Sequence, residues 1–316
     1  MRKTRPLARL DRHSHTTLIR APSNLGLRSL RPGHEPGTWR APQVLSEAGL
    51  VQALEPVRII DLPRPKYDPE AQPNTRLLNG QTMRAFNLRL ADTVAEVAAA
   101  GEFPVVVGGD CSILLGALAG IRRSTALSLV HIDGHSDFRH PGNYDPSVML
   151  GAVAGMDLAL ATGRGEPLMT EWPDAPAPLV PEEQVIQIGE REGRNADFAW
   201  PDVNKTAINR LDIFTLQELG VGEVLMRTIE TIEQRSRWPF WVHFDVDVLD
   251  QTVMPAVDTP GSPGVDPDYL AFLLRRLLAD DRCIGLTVTI FDPELDIDGS
   301  SARLIVSILR DTFRAQ

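Results

Sequence analysis

The sequence has few cysteines, no long apolar run and no excess of basic residues. Its 316 residues include only Cys111 and Cys283, too few and too far apart for a disulfide framework or a paired-cysteine zinc site. No apolar stretch approaches the roughly 18–20 residues that span a bilayer. The 32 basic residues are outnumbered by 42 acidic ones, so we expect no nucleic-acid partner. These absences favour a soluble, cytoplasmic protein in a reducing compartment.

The composition that is present is that of an ordinary globular protein, with 43% hydrophobic and 23% charged residues. The arginine-rich N-terminus lacks the apolar segment of a secretory signal. We therefore expect residues 1–14 to form a flexible basic tail and residues 15–316 to form a single domain.

Short apolar, β-branched runs alternate with helical patterns along most of the chain. The predicted strands are 16–19, 57–62, 104–107, 127–132, 185–188, 240–244 and 283–291. The predicted helices are 85–100, 221–235, 266–279 and 300–315. This alternation predicts an α/β fold with a central, mostly parallel sheet and helices on both faces.

Acidic, histidine and cysteine residues follow four of the predicted strands. They are Asp110 and Cys111 after the third strand, Asp133, His135 and Asp137 after the fourth, Asp245 and Asp247 after the sixth, and Asp292 after the last. The carboxyl ends of parallel strands meet at one edge of a sheet, and residues two apart in extended chain project to the same side. Several carboxylates buried together repel one another unless cations neutralise them. An oxygen-rich site with an imidazole suits Mn²⁺, with zinc, iron or nickel also allowed, and a pair of such ions generates hydroxide at neutral pH.

Some of these residues also have ordinary structural interpretations. An aspartate after a strand often caps the next helix, and for Asp110 alone we favour a cap or a role outside the metal ligands. His131 and His243 lie within apolar strands, which favours core histidines or hydrogen-bonding partners of ligands. Four aspartates and one histidine, taken together, favour a metal site: Asp133, His135, Asp137, Asp245 and Asp247.

Five motifs in order make the sequence resemble the arginase/agmatinase (ureohydrolase) family. GGDCS at 108–112 is similar to the family's GGDHS, DGHSD at 133–137 to DAHxD, FDVDVLD at 244–250 to SFDVDxxDP, MPAVDTPGSPG at 254–264 to APGTGTPxxGG, and FDPELD at 291–296 to EVNPxxD. The resemblance implies a three-layer α/β/α fold, two divalent metal ions, most often Mn²⁺, and hydrolysis of a guanidino C–N bond by a metal-bridging hydroxide. It also implies a small amidine-like substrate and a homo-oligomer, a trimer or a hexamer.

The resemblance further assigns roles by motif position. Asp133 and Asp245 would bridge both metals, Cys111 and Asp137 would bind the first, and His135 and Asp247 would bind the second. Asp137 would also orient the hydroxide, which makes it the expected catalytic residue.

Three residues depart from the family pattern. Cys111 stands in place of a histidine ligand, and its soft sulfur is the reason to consider zinc, iron or nickel. Leu150 occupies the position of a proton-shuttling histidine. Ile290 occupies the position of a glutamate that pairs with the guanidinium, and an apolar side chain cannot do so. We therefore expect a substrate group less basic than guanidinium, such as a formimino or N-hydroxyguanidino group.

Two further residues are candidates for substrate binding. Arg139 stands where arginases carry an asparagine that contacts the substrate carboxylate; an arginine there resembles formimidoylglutamase and would pair with an acidic substrate. Asp258 replaces a small residue and would bind a cationic group or cap a turn. The alternative function is a catalytically silent or regulatory protein that keeps the arginase fold. A metal-dependent deacetylase of related architecture would need a tandem histidine pair, which the sequence lacks.

Overall fold

One eight-stranded sheet forms the centre of the molecule. The computed structural model describes residues 15–195, 197–235 and 237–313, and the tail predicted for residues 1–14 lies outside them. The strands are β1 (Thr16–Ala21), β2 (Arg58–Asp61), β3 (Phe103–Gly108), β4 (Ser128–Ile132), β5 (Val185–Ile188), β6 (Asn209–Leu211), β7 (Phe240–Asp245) and β8 (Cys283–Thr289). Their order is β2-β1-β3-β8-β7-β4-β5-β6, and every neighbouring pair is parallel. All their carboxyl ends therefore lie at one edge.

Helices cover both faces of this sheet. They are α1 (Ala41–Glu47), α2 (Leu50–Leu54), α3 (Gly80–Ala99), α4 (Ile113–Arg122), α5 (Asp157–Ala161), α6 (Pro167–Thr170), α7 (Ile213–Leu219), α8 (Val221–Arg235), α9 (Pro267–Leu278) and α10 (Ser300–Phe313). Helix α4 contacts α3 and α5 on one face, and α9 contacts α8 and α10 on the other. The predicted three-layer α/β/α fold is confirmed. No helix within the described ranges is both long and apolar enough to cross a membrane.

Alternate residues of each strand supply the two apolar cores. In β4, Val130 packs with the α8–α10 layer, whereas Leu129 packs with the α3–α5 layer. In β7, Val242 packs with the α8–α10 layer and Trp241 packs with the α3–α5 layer. Gly285 of β8 leaves room for the indole, because a Cβ there would lie 2.0 Å from a Trp241 ring carbon. Period-two alternation thus assigns each strand side chain to one helical layer.

Several boundaries differ from those predicted. The helix predicted to start at residue 85 begins at Gly80, directly after Asn79, whose φ of 55° lies in the left-handed region. Strand β8 ends at Thr289 because Ile290 has a φ of 74°, which extended chain does not adopt. Helix α8 has the predicted bounds, and Asp266 caps α9 by accepting hydrogen bonds from two backbone N–H groups.

Candidate metal centre

A close chain crossing places Cys111 at the sheet edge. A Cβ on Gly109 would lie 1.6 Å from the carbonyl oxygen of Ser23, so only glycine fits where the loops after β1 and β3 touch. Asp110 accepts hydrogen bonds from the Ser23 hydroxyl (2.7 Å) and from the N–H of Ser112 (3.0 Å). Asp110 therefore holds the loop, and Cys111 follows it just before α4, whose N-cap is Ser112.

The first group of predicted ligands lies around Cys111. Its thiol donates to Asp245 Oδ2 at 2.6 Å and lies 3.3 Å from Thr289 Oγ1. Burial and the charge of Asp245 raise the pKa of the Cys111 thiol well above its usual value. Ligand atoms of Cys111, Asp133 and Asp245 lie within 4.8 Å of one another. Three strand ends thus meet at this point, β3, β4 and β7.

The second group consists of His135, Asp247 and Asp133. His135 Nδ1 lies 2.9 Å from Asp247 Oδ2, and the N–H of His135 donates to Asp133 Oδ1 at 2.6 Å. Burial alone would lower the pKa of His135, but the charge and hydrogen bond of Asp247 raise it to about 10. Backbone N–H groups hold the carboxylates in turn: Gly134 donates to Asp247, and Asp247 donates to Asp245.

Asp137 joins the two groups from the loop after β4. It is 8% exposed and has a φ of 45°, a conformation that costs a non-glycine residue energy and often occurs at functional sites. Burial and the charges of Asp133 and Asp157 raise the pKa of Asp137 well above its usual value. All six ligands predicted from the sequence are therefore brought together.

The donor set fits divalent cations. Burial and the charge of Asp247 raise the pKa of Asp133 to about 7, and its Oδ2 atom is buried without a hydrogen-bond partner. Within the described residues, the ion-pair partners of Asp133 and Asp247 are histidines rather than lysine or arginine. Clustered oxygens, an imidazole and an unpartnered carboxylate oxygen are what a divalent metal ion would satisfy.

A polar layer crosses the sheet directly below these ligands. The register pairs Gln187 with His131, His131 with His243 and His243 with Thr287. The two imidazoles are stacked with centroids 4.8 Å apart, and His243 Nδ1 lies 2.8 Å from Thr287 Oγ1. Both histidines are fully buried, but they lie beside the carboxylates rather than in a purely apolar core.

Asp157, the first residue of α5, is a member of this cluster that sequence reasoning missed. It is 0% exposed, and its Oδ1 atom lies 3.3 Å from His131 Nε2. Asp157 follows no strand, and an acidic residue in the first turn of a helix is common because it favours the helix dipole. The one available signal was its place at the start of an otherwise apolar helix, where a buried carboxylate is unusual.

The charges of Asp247 and His135 act on Asp258, whereas Arg139 lies among aromatic side chains. The Arg139 guanidinium lies over the Tyr144 ring, 4.4 Å from its centroid. The pKa of Arg28 is lowered first by the burial of Arg28 itself and second by the charge of Arg139. Two arginines are thus neighbours. Burial and the charge of Asp247 raise the pKa of the Asp258 carboxyl to about 6. Glu192 was not singled out from the sequence. Burial raises the pKa of its carboxyl, and the charge of His135 opposes this effect.

The two apolar departures occupy defined places. Ile290 is 3% exposed, packs in the apolar core, and donates its N–H to Gly109 at 2.7 Å. Leu150 is half-buried, and its carbonyl accepts a hydrogen bond from Arg28. Neither position carries an ionisable side chain.

The comparisons with known proteins agree with this geometry. The model of the arginase family matches residues 18–314. The chain belongs to the arginase family. It is 28% identical over 307 residues to an arginase of Bacillus caldovelox, in an alignment that covers 94% of this chain and 97% of that protein. The ureohydrolase resemblance seen in the motifs is confirmed.

Solved structures of the arginase family have the same fold. An arginase structure from B. caldovelox superimposes with a TM-score of 0.84 at 25% identity, covering 96% of this chain and 99% of that one. Formimidoylglutamase from Bacillus subtilis gives a TM-score of 0.68 at 17% identity, covering 94% and 85%. The second likeness supports the fold alone, so the substrate must be argued from the site.

Proposed function

We propose that this arginase-family chain is a metal-dependent hydrolase that cleaves a C–N bond of a small, amidine-like compound carrying a carboxylate. The observation that carries the proposal is the convergence of four buried aspartates, His135 and Cys111 at one sheet edge. The charges of His135 and Arg191 act on Asp247, but four buried carboxylates outnumber these counter-charges, so cations are the expected further partners. A pair of divalent cations in such a site would supply the ionisation of water at neutral pH.

The six predicted ligands would divide between two ions. Asp133 and Asp245 would contact both, Cys111 and Asp137 the first, and His135 and Asp247 the second. Mn²⁺ suits the oxygen-rich set, whereas the sulfur of Cys111 favours zinc, iron or nickel at the first position.

Asp137 would act on the attacking water. Its carboxylate would orient the water toward the amidine carbon, accept one proton and return it to the departing nitrogen as the C–N bond breaks. Leu150 offers no group for proton transfer, which leaves this task to Asp137 and solvent.

Arg139 and Arg28 support an acidic substrate. Their guanidinium groups repel each other, so a carboxylate between them would relieve the repulsion and form charge-assisted hydrogen bonds. At the other end of the substrate, Ile290 offers no negative charge to a guanidinium. A formimino or N-hydroxyguanidino group fits this position better, with Asp258 as the carboxylate available on the His135 side.

The test is a panel of guanidino, N-hydroxyguanidino and formimino compounds, each with and without a carboxylate. The full chain loaded with manganese, zinc, iron or nickel is assayed for release of urea from guanidino compounds, hydroxyurea from N-hydroxyguanidino compounds, and formamide or ammonia from formimino compounds. We expect turnover only with carboxylate-bearing members, and loss of turnover in a folded Asp137→Asn variant. Two bound metals with no turnover on any compound would contradict the proposal.

The catalytically silent alternative predicts a different result. It is supported by the loss of family-type residues at Leu150 and Ile290, and it would be favoured by metal-free protein isolated after metal-rich growth. The cytoplasmic location and the trimer or hexamer remain predictions. Light scattering on the purified full chain checks the subunit number.

A further inference from the structure

Asp157 and His243 face each other with no hydrogen bond between them. Asp157 Oδ2 lies 3.6 Å from His243 Nε2, and both atoms are buried without a hydrogen-bond partner. Leaving two such buried atoms unsatisfied is unfavourable, because each loses its hydrogen bonds to water without gaining a partner in the fold. Something that binds an anionic oxygen and an imidazole nitrogen at once would satisfy both.

A metal ion meets that requirement. Two ligand atoms at about 2.0–2.1 Å from one ion lie roughly 3–3.5 Å apart, close to the separation of these two atoms. A direct hydrogen bond would bring them nearer, to about 2.7–3.2 Å. The imidazole is also held in the orientation that a ligand needs, because Thr287 Oγ1 contacts its other nitrogen at 2.8 Å.

The position adjoins the first predicted metal. Ligand atoms of Cys111, Asp137 and Asp157 lie within 4.8 Å of one another, and so do those of Cys111, Asp133, His243 and Asp245. Asp157 and His243 each approach Cys111, which stands in place of the family's nitrogen ligand, and the group that contains both of them has His131 as its third member. Helix α5 delivers the carboxylate, and strand β7 delivers the imidazole two residues before Asp245.

We propose that Asp157 and His243 are direct ligands of the first metal ion and complete its coordination on the side that faces α5. His243 supplies the nitrogen that the histidine-to-cysteine change at position 111 removes, and Asp157 adds an oxygen. This inference rests on the proposed metal centre and adds two ligands to it. The competing explanation is that Asp157 serves only as a hydrogen-bonding partner of His131 and Asp137.

The first experiment counts the metals. The full chain, Asp157→Asn and a control, Asp292→Asn, are dialysed against a fixed low concentration of free Mn²⁺, and bound metal is measured by mass spectrometry. Asp292 is a suitable control because it is buried at the same sheet edge but binds the N–H groups of Gly37 and Glu294. We expect two ions in the wild type and control and one in Asp157→Asn. Two tightly held ions in Asp157→Asn would overturn the proposal.

The second experiment separates a ligand from a hydrogen-bonding partner, whose loss also weakens metal binding by roughly 10–100-fold. In a Cys111→Ser background, Asp157→Cys and Ala159→Cys are each loaded with Co²⁺. A thiolate bound to cobalt gives a near-ultraviolet charge-transfer band. The control at Ala159 lies on the same helix with its side chain in the apolar core. We expect the band only with Asp157→Cys.

The outcomes distinguish this inference from the proposed function. No band with Asp157→Cys, in a variant that still binds cobalt and melts cooperatively, would refute direct ligation by position 157 while leaving the metal centre intact. Two cobalt ions bound to the wild type, together with a charge-transfer band from Asp157→Cys in the Cys111→Ser background, would support both the metal centre and ligation by position 157. A wild-type chain that binds no metal would overturn both.

Discussion

Removing the metals should destabilise the protein, and more so at high pH than at low pH. Burial and the charge of Asp247 raise the pKa of Asp133 in the metal-free fold to about 7. A pKa raised by folding means that the folded state holds its proton more tightly than the unfolded chain does. The protonated Asp133 therefore stabilises the fold at low pH. This contribution is lost as the pH rises from the pKa of the group in the unfolded chain, near 4, to its pKa in the fold.

The size of the effect follows from the shift. At pH 8 the ionised Asp133 costs the metal-free fold about 4 kcal/mol, and at pH 5 it costs roughly half of that or less. The difference is about 2 kcal/mol, which corresponds to a few degrees in Tm at the unfolding entropy of a chain this long. Burial raises the pKa of Asp137 and Asp245 as well, so their effects have the same sign.

Thermal unfolding with Mn²⁺ and with a chelator, at pH 5 and pH 8, measures this effect. We expect the difference in Tm between the Mn²⁺-loaded and the chelator-treated protein to be at least a few degrees larger at pH 8 than at pH 5. Asp133→Asn should abolish most of the gap and raise the Tm of metal-free protein at pH 8. Asp292→Asn should lower Tm equally in both conditions. A difference in Tm that is absent, or that narrows as the pH rises, would show that the buried aspartates do not destabilise the metal-free fold.

Three further predictions concern single residues. Cys111→Ser should weaken zinc and cobalt binding more than manganese binding, because it removes a soft ligand; competition titrations measure this, and equal losses for all metals would argue against ligation by sulfur. Arg139→Ala should raise KM for carboxylate-bearing substrates at least tenfold with a smaller change in kcat, and a KM that stays the same would remove this residue from the substrate site. Gly109→Ala should cost roughly 3 kcal/mol or more in unfolding free energy, because its Cβ would overlap Ser23, whereas Gly101→Ala, with open space but a φ of 74°, should cost about 1 kcal/mol. Chemical denaturation compares the last two variants, and similar losses would contradict the close-approach argument.

The sequence predicted the strands that position the site because they are short, apolar and followed at once by acids. Asp133 and Asp245 lie where parallel topology must bring them together, so their meeting needed no knowledge of loop structure. The sequence did not predict α4, whose ILLGALAGI run is apolar all round and lacks helical periodicity. Strand β6 was missed because its three residues, Asn209–Leu211, are mostly polar and sit at the edge of the sheet.

Asp157 and Arg28 could not be found in this way. Each lies on a segment that reaches the sheet edge through loop geometry rather than through strand order. Asp157 comes into place because α5 packs on the helical layer beside α4, and Arg28 because its loop contacts the carbonyl of Leu150. Pattern and spacing describe the strands well, but the side chains that loops bring in depend on tertiary contacts.

His131 pairs with His243 across β4 and β7, so the strand register that forms the apolar core also brings the residues of the site together. A slip of one residue between these strands would set His131 opposite Val242 and would move alternate side chains to the wrong helical layer. If β7 carried the slip, the His243 imidazole would enter the core against α8–α10, and Val242 would face Asp157. An error in strand register therefore destabilises the fold even when no metal is bound. Molecules that fold with a complete core consequently have their predicted metal ligands in place.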